Sequence, residues 1–236
     1  MSECKYTTIL MDMDGTLMDF DACESKALET VFARHGYPYS PEIRRLYNGI
    51  NSRPWKEYEK GSTTKAIIKS TRFSELFQLI GVKGDGAAFN IEYLDELGKN
   101  WFPIEGCFEL CRILSSHFRL YMATNGVSRT QRNRVKGCGL EPFFSGMFIS
   151  EEIGVQKPLS GFFEYAASHI PGFKKEETLM VGDSLTSDMK GGIDFGLSTC
   201  WFNRKHAENP GFPITYEIHS LLELPPLLGI SENSEK

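Results

Sequence analysis

Long apolar runs are missing from this chain. No stretch reaches the roughly 18 consecutive apolar residues that a membrane helix needs. The first apolar run, Ile9 to Met13, is interrupted by Asp12 and is too short for a secretory signal. Paired cysteines are missing too. Cys4, Cys23, Cys107, Cys111, Cys138 and Cys200 form no C-x-x-C pair and no Cys/His cluster at zinc spacing. Only Cys107 and Cys111 lie four apart, which on a helix reads as two buried small apolar groups. A reduced, cytoplasmic protein without a membrane partner is the expectation. There is no basic excess: 26 Lys+Arg stand against 31 Asp+Glu, a formal charge of −5, which argues against a nucleic-acid polymer as partner. The histidines make no H-E-x-x-H pattern, and G-x-S-x-G, Walker A and G-x-G-x-x-G sequences do not occur. Serine esterase, P-loop and dinucleotide-binding readings therefore lack their essential parts.

What is present is an ordinary globular composition. With 41% hydrophobic and 24% charged residues over 236 positions, the chain can bury a core without staples. Apolar, β-branched segments read as strands at Tyr6–Met11, Phe118–Ala123, Gly146–Ile149, Thr178–Val181 and Ser198–Phe202. Helical periodicity alternates with them: Cys107, Leu110, Cys111 and Leu114 make one stripe, and Phe162, Tyr165, Ala166 and His169 another. Ser128 to Gln131 has the form of a capping box, and Arg129, Arg132, Arg134 and Lys136 after it read as a solvated helix face. Alternation of this kind predicts an α/β fold, a three-layer Rossmann-like parallel sheet with right-handed crossovers. One connection is far too long for a crossover, since residues 13–123 separate two strand ends. Its helical segments, over 23–35, 41–47, 63–79 and 87–97, predict an inserted all-helical domain. The expected division is a core of residues 1–18 and 101–236 around a helical insertion at 19–100. The polar tail Ser231–Lys236 is expected to fray.

In open α/β sheets chemistry sits at the carboxyl ends of the strands. The polar residues there are Asp12 and Asp14, Thr124 and Asn125, Lys157, and Asp183 with Asp188. Four acids converging on one edge repel one another, and Mg²⁺, with Mn²⁺ as a substitute, suits such hard oxygen ligands. Asp12, Asp14 and Asp183 are the expected ligands, with Asp188 orienting a bound water or the lysine from outside. A carboxylate can attack a phosphoryl group to form an aspartyl phosphate, and Asp12 is the best-placed nucleophile. Asp14 serves as general acid and then general base. Gly15 lets the backbone pass close to phosphate, Thr124 and Asn125 bind phosphoryl oxygens, and Lys157 offsets the developing charge.

Asp12-Met13-Asp14-Gly15-Thr16-Leu17, Thr124-Asn125-Gly126, Lys157-Pro158 and Gly182-Asp183 followed by Asp188 resemble the four ordered motifs of the haloacid dehalogenase superfamily. The insertion resembles its helical type-1 cap. Within that superfamily, the segments Ile149–Pro158 and Gly191–Asn203 look like those of pyrimidine 5′-nucleotidases of the nucleotide-housecleaning kind. Asp19-Phe20, Asn51, Trp55, Tyr58, Gly61 and Arg72-Phe73 fall in a similar order in that branch. The resemblance implies a Mg²⁺-dependent phosphomonoesterase acting on a small phosphorylated substrate, a pyrimidine nucleoside 5′-monophosphate first. A phosphatase for phosphoglycolate or a sugar phosphate, and a β-phosphoglucomutase-like isomerase, are the alternatives. Trp55 is either a stacking face for the substrate or part of the cap core, and a monomer and a dimer are equally compatible with the sequence.

Overall fold

The computed structural model describes residues 5–230, so Cys4 and the tail Ser231–Lys236 lie outside the described residues. Six parallel strands form one sheet in the order β3-β2-β1-β4-β5-β6. They are β1 (Thr8–Met11), β2 (Arg119–Thr124), β3 (Gly146–Ile149), β4 (Thr178–Gly182), β5 (Ser198–Phe202) and β6 (Tyr216–Ile218). The first five match the apolar segments of the sequence. β6 is three residues long, with one exposed glutamate at its centre, and its short pattern carries no strand signal of its own.

β1 pairs in parallel with β2 and β4, which makes it an interior strand buried along its whole length. Its alternate side chains enter different cores. Ile9 and Met11 join Leu110, Cys111 and Leu114 on one face, while Leu10 joins Phe162, Phe163 and Ala166 on the other. The helices behind these contacts, with cap helices counted first in chain order, give the three layers.

Four helices form the insertion within the long connection: α1 (Phe20–Arg34), α2 (Pro41–Glu59), α3 (Lys65–Ile80) and α4 (Gly86–Leu97). They share an apolar core of their own, centred on Phe32, Phe73, Phe77, Phe89 and Tyr93. α2 runs twelve residues beyond the stretch 41–47 read from the sequence, through Pro54. Proline costs an interior helix one amide donor, and here it stands in the helix's C-terminal part beside partly exposed neighbours. The chain leaves and re-enters the sheet layer side by side, because Asp19 N–H donates to Phe102 O at 2.8 Å and Ile104 N–H to Leu17 O at 3.0 Å.

The remaining helices that matter for the site are α5 (Cys107–Ser115), α6 (Ser128–Cys138), α7 (Ser150–Ile153) and α8 (Ser160–His169). α6 corrects two expectations. No capping box forms at its start: Val127 is the N-cap, the Ser128 amide donates to Glu151 at 2.8 Å, and Gln131 turns inward instead. The basic run is not one solvated face. Arg129 and Arg132 are exposed and pair with Asp95 and Glu152, but Arg134 has 0% exposure. Residue 134 lies on the inward side of a helix whose outward arginines disguise it.

Candidate active site

The carboxyl ends of β1, β2 and β4 converge on one cleft, of about 250 Å³, between the sheet and the cap. Lys157 is its electrostatic centre. The ammonium group is 1% exposed and donates to Asp12 Oδ1 at 2.7 Å, Asp188 Oδ1 at 2.6 Å and the Ala123 carbonyl at 2.5 Å, so all three of its protons are used. Burial alone would lower the lysine pKa, but Asp12 and Asp188 outweigh it and hold Lys157 above its ordinary range.

Asp12 is held in that bond at the end of β1. Burial raises its carboxyl well above the usual range, Lys157 opposes the shift, and the charges of Asp188, Asp183 and Asp14 add to it. Asp183 opens to the cleft after β4. Displacement of water by the surrounding protein, together with Asp188, raises it to about 7, against the pull of Lys157. One oxygen from each of Asp12, Asp183 and Asp188 lies within 4.8 Å of the others. Three carboxylates so close, two of them shifted toward the neutral form, are a donor set that fits a hard divalent cation. Asp188 has both oxygens engaged already, Oδ1 by Lys157 and Oδ2 by the Ser184 amide at 3.1 Å. That leaves Asp12 and Asp183 with the freer oxygens. The Asp14 carboxylate, expected among the ligands, turns instead to Gln131 and Arg134.

The turn after β1 explains why glycine stands at 15. Its φ is +86°, and a Cβ there would lie 2.3 Å from Asp183 Oδ2. Gly15 therefore lets Asp183 approach the β1 loop, while its own N–H is spent on Met18 O at 2.8 Å.

Thr124 is buried at the end of β2 and accepts two hydrogen bonds, from Gly126 N–H at 3.0 Å and Gln131 Nε2 at 2.9 Å. With both lone pairs occupied, its hydroxyl keeps only a proton to donate, and Thr124 lines the cleft. Asn125 works on the chain itself. Its amide nitrogen donates to the Lys157 carbonyl at 2.9 Å and its oxygen accepts from Lys157 N–H at 3.0 Å, with Ser187 as a further acceptor. This bond pair holds the lysine loop against the end of β2.

The cap supplies the opposite wall. Phe20, Trp55, Lys65, Arg72 and Tyr93 line the same cleft as Asp12, Asp14 and Asp183. Trp55 is half-buried and meets Tyr58 edge-on at 5.6 Å. Tyr58 is buried and donates to Ser150 Oγ at 3.2 Å, bridging cap to core. Asn51 and Arg72 line the cleft and also bond within the cap: Arg72 donates to Asn51 Oδ1 at 3.2 Å and Asn90 Oδ1 at 2.8 Å, and Asn51 donates to Glu24 at 3.2 Å. Asp19 caps α1 through the Ala22 amide and pairs with Arg204. Lys65 was not singled out in the sequence. It reaches from α3 to the Gly126 carbonyl and to Ser150 Oγ, each at 2.7 Å.

Fold and site together define an α/β enzyme with carboxylates gathered at the ends of parallel strands. The chain belongs to the haloacid dehalogenase-like hydrolases, whose family model matches residues 6–196. It is 41% identical to the HAD-hydrolase YfnB of Bacillus subtilis, over 96% of this chain and 97% of that one. It is 37% identical to the pyrimidine 5′-nucleotidase PynA of Streptococcus pneumoniae, over 93% of each. Identity to the pyrimidine 5′-nucleotidase YjjG of Escherichia coli is 32%, over 95% of this chain and 98% of the relative. The crystal structure of YfnB bound to magnesium superposes with a TM-score of 0.90, covering 95% of this chain and 99% of that one. Among the described residues no helix is long and apolar enough to cross a membrane.

Proposed function

We propose that this hydrolase is a Mg²⁺-dependent phosphomonoesterase that works through an aspartyl phosphate on Asp12, with pyrimidine nucleoside 5′-monophosphates as its substrates. The observation that carries the reading is the Lys157 hub. It fixes Asp12 by one oxygen and leaves the other to attack, beside two further carboxylates and the Thr124 hydroxyl, which lines the same cleft.

Each residue then has a role. Asp12 attacks phosphorus as the bond to the leaving oxygen breaks, and Asp14 delivers a proton to that oxygen. A water molecule next attacks the phosphorus of the aspartyl phosphate. Asp14 takes the water's proton, inorganic phosphate leaves, and Asp12 is regenerated. The charge of Lys157, whose protons are already bonded, and the Thr124 hydroxyl stabilise the phosphoryl oxygens throughout. Asp12 and Asp183, beside Asp188, would hold Mg²⁺, whose positive charge would let a dianionic ester approach these acids. The cap, taken as residues 19–100, covers the cleft and presents Trp55 to the leaving group. Two relatives at 37% and 32% identity are named pyrimidine 5′-nucleotidases, which supports the choice of base.

Phosphate release from a panel of nucleoside monophosphates, sugar phosphates and phosphoglycolate tests this, with and without EDTA. Turnover of uridine and thymidine monophosphates above the rest, lost with EDTA and restored by Mg²⁺, is the expected result. Full activity in a rigorously metal-free preparation overturns the mechanism, and a clear preference for a sugar phosphate overturns the substrate.

A further inference from the structure

Arg134 is among the buried charges that the mechanism leaves without a task. Arg134 is the bulkiest fully buried side chain, with 0% exposure, on a helix that otherwise carries its arginines outward. A guanidinium taken out of water must be compensated by charge and by geometry. Here the charge comes from Asp14. Arg134 Nη1 binds Asp14 Oδ1 at 2.5 Å and Gln131 Oε1 at 3.0 Å. Its other nitrogens reach outside the core layer: Nε donates to the Asn100 carbonyl at 3.2 Å, and Nη2 to Cys23 Sγ at 3.3 Å.

Gln131 completes the clamp. Its Nε2 donates to Asp14 Oδ2 at 2.7 Å and to Thr124 Oγ1 at 2.9 Å. Its amide has only one consistent orientation, since the reversed one would place oxygen against the carboxylate and nitrogen against the guanidinium. Both oxygens of Asp14 are therefore fixed by donors from a single helix. That helix is tied through Arg134 to α1 and to the segment by which the chain returns from the cap. A planar, rigid fork suits such a joint in a way that a lysine does not.

We propose that Arg134, assisted by Gln131, is the positioning residue for the acid/base carboxylate of Asp14. Neither side chain is assigned contact with substrate. Arg134 acts by fixing the angle at which Asp14 meets the leaving oxygen, and this rests on the phosphomonoesterase reading given above.

The distinguishing readout is the leaving group. A well-placed acid matters for an alkoxide such as that of a nucleoside, and hardly at all for p-nitrophenolate. kcat/KM reports the steps up to the first irreversible bond cleavage, so it isolates this dependence from hydrolysis of the intermediate. For Arg134→Lys, kcat/KM on uridine monophosphate should fall about a hundredfold, within the range that a positioned acid supplies, and change less than about threefold on p-nitrophenyl phosphate. Arg134→Gln should show the same pattern at a similar size, and it serves as the second variant if Arg134→Lys does not fold. In an Asp14→Asn background, Arg134→Lys should add no further loss on either ester, because its effect passes through the missing acid. Equal losses on the two esters, or losses that multiply in the Asp14→Asn background, overturn the proposal and leave the function intact. A wild-type enzyme inactive on both esters overturns the phosphomonoesterase reading and the proposal with it.

Discussion

Gly15→Ala separates the stability of this fold from the assembly of its site. The substitution adds one methyl group at a position with φ of +86°. Left-handed backbone costs an L-residue about 1–2 kcal/mol, and the stiffer unfolded chain returns about 0.4–1 kcal/mol of that. The net loss is about 1 kcal/mol, or roughly 2–4 °C in Tm for a chain of this size. The effect on the site is of another order. The new Cβ would lie 2.3 Å from Asp183 Oδ2 and 2.6 Å from its Cγ. To reach ordinary van der Waals distance the carboxylate must retreat by about 1 Å, and a displacement of that size in a reacting constellation costs on the order of a hundredfold in rate. The assay is phosphate release from uridine monophosphate at saturating Mg²⁺, run beside thermal melts. Gly172→Ala is the control: φ there is +65° and nothing lies within 4 Å, so it should lose similar stability and no activity. A Gly15→Ala enzyme within threefold of wild type would show that the position of Asp183 is not what the chemistry depends on.

Asp12→Asn removes the nucleophile and should abolish both turnover and acid-stable labelling of the protein by a radioactive phosphoryl donor; near-wild-type turnover would refute the role given to Asp12. Trp55→Ala should lower kcat/KM for pyrimidine nucleotides about ten- to a hundredfold, as loss of one stacked base does, and leave p-nitrophenyl phosphate nearly unchanged. Equal losses on both substrates would show that Trp55 only packs the cap. Lys65 carries a pH prediction. Burial, aided by Lys69 and opposed by Glu151, brings its pKa down to about 7. Between about pH 7 and 10 the unfolded chain then holds one proton more than the folded chain, so stability rises with pH in that window. Relative to Lys65→Met, wild type should gain Tm as the buffer moves from pH 6.5 to 9; a constant difference across that range refutes the shifted lysine.

The residues that end strands were legible in the sequence because two local rules coincide there. An apolar, β-branched run marks the strand, and the polar residue after it has only the sheet edge to occupy, which is how Asp12, Thr124 and Asp183 came to be grouped. Residues that act from helices were not legible. Arg134 has the same local signature as Arg129 and Arg132, and only the packing of α6 against the returning linker turns one of the three inward. Gln131 mimicked a cap because its spacing from Ser128 satisfies the local rule, while the competing acceptor, Asp14, lies 117 positions away. Asn125 sits in the expected motif, but its partner is the backbone of Lys157, a contact that no spacing records. The end of α2 was obscured by the turn-like pair Asn48-Gly49, with Pro54 further on, whose local penalties say stop where burial of Tyr58 against Ser150 says continue.

The interior placement of β1 also sets a timetable for synthesis. The strand that carries Asp12 is made first, yet its partners are residues 119–122 and 178–181. At about 5–20 residues per second, the wait for β2 alone lasts roughly 5–20 s on the ribosome. During that interval a strand apolar at all but its first position has no neighbour to pair with, and exposed strand edges of this kind invite aggregation. The helices that fill the gap have their own aromatic core and need nothing from the sheet to begin packing. Placing them directly after the first strand means that the nascent chain has compact structure to form while β1 waits. Moving the same four helices to the end of the gene, with β1 and β2 joined by a short crossover, should therefore change the yield of soluble chain even where the finished fold is the same.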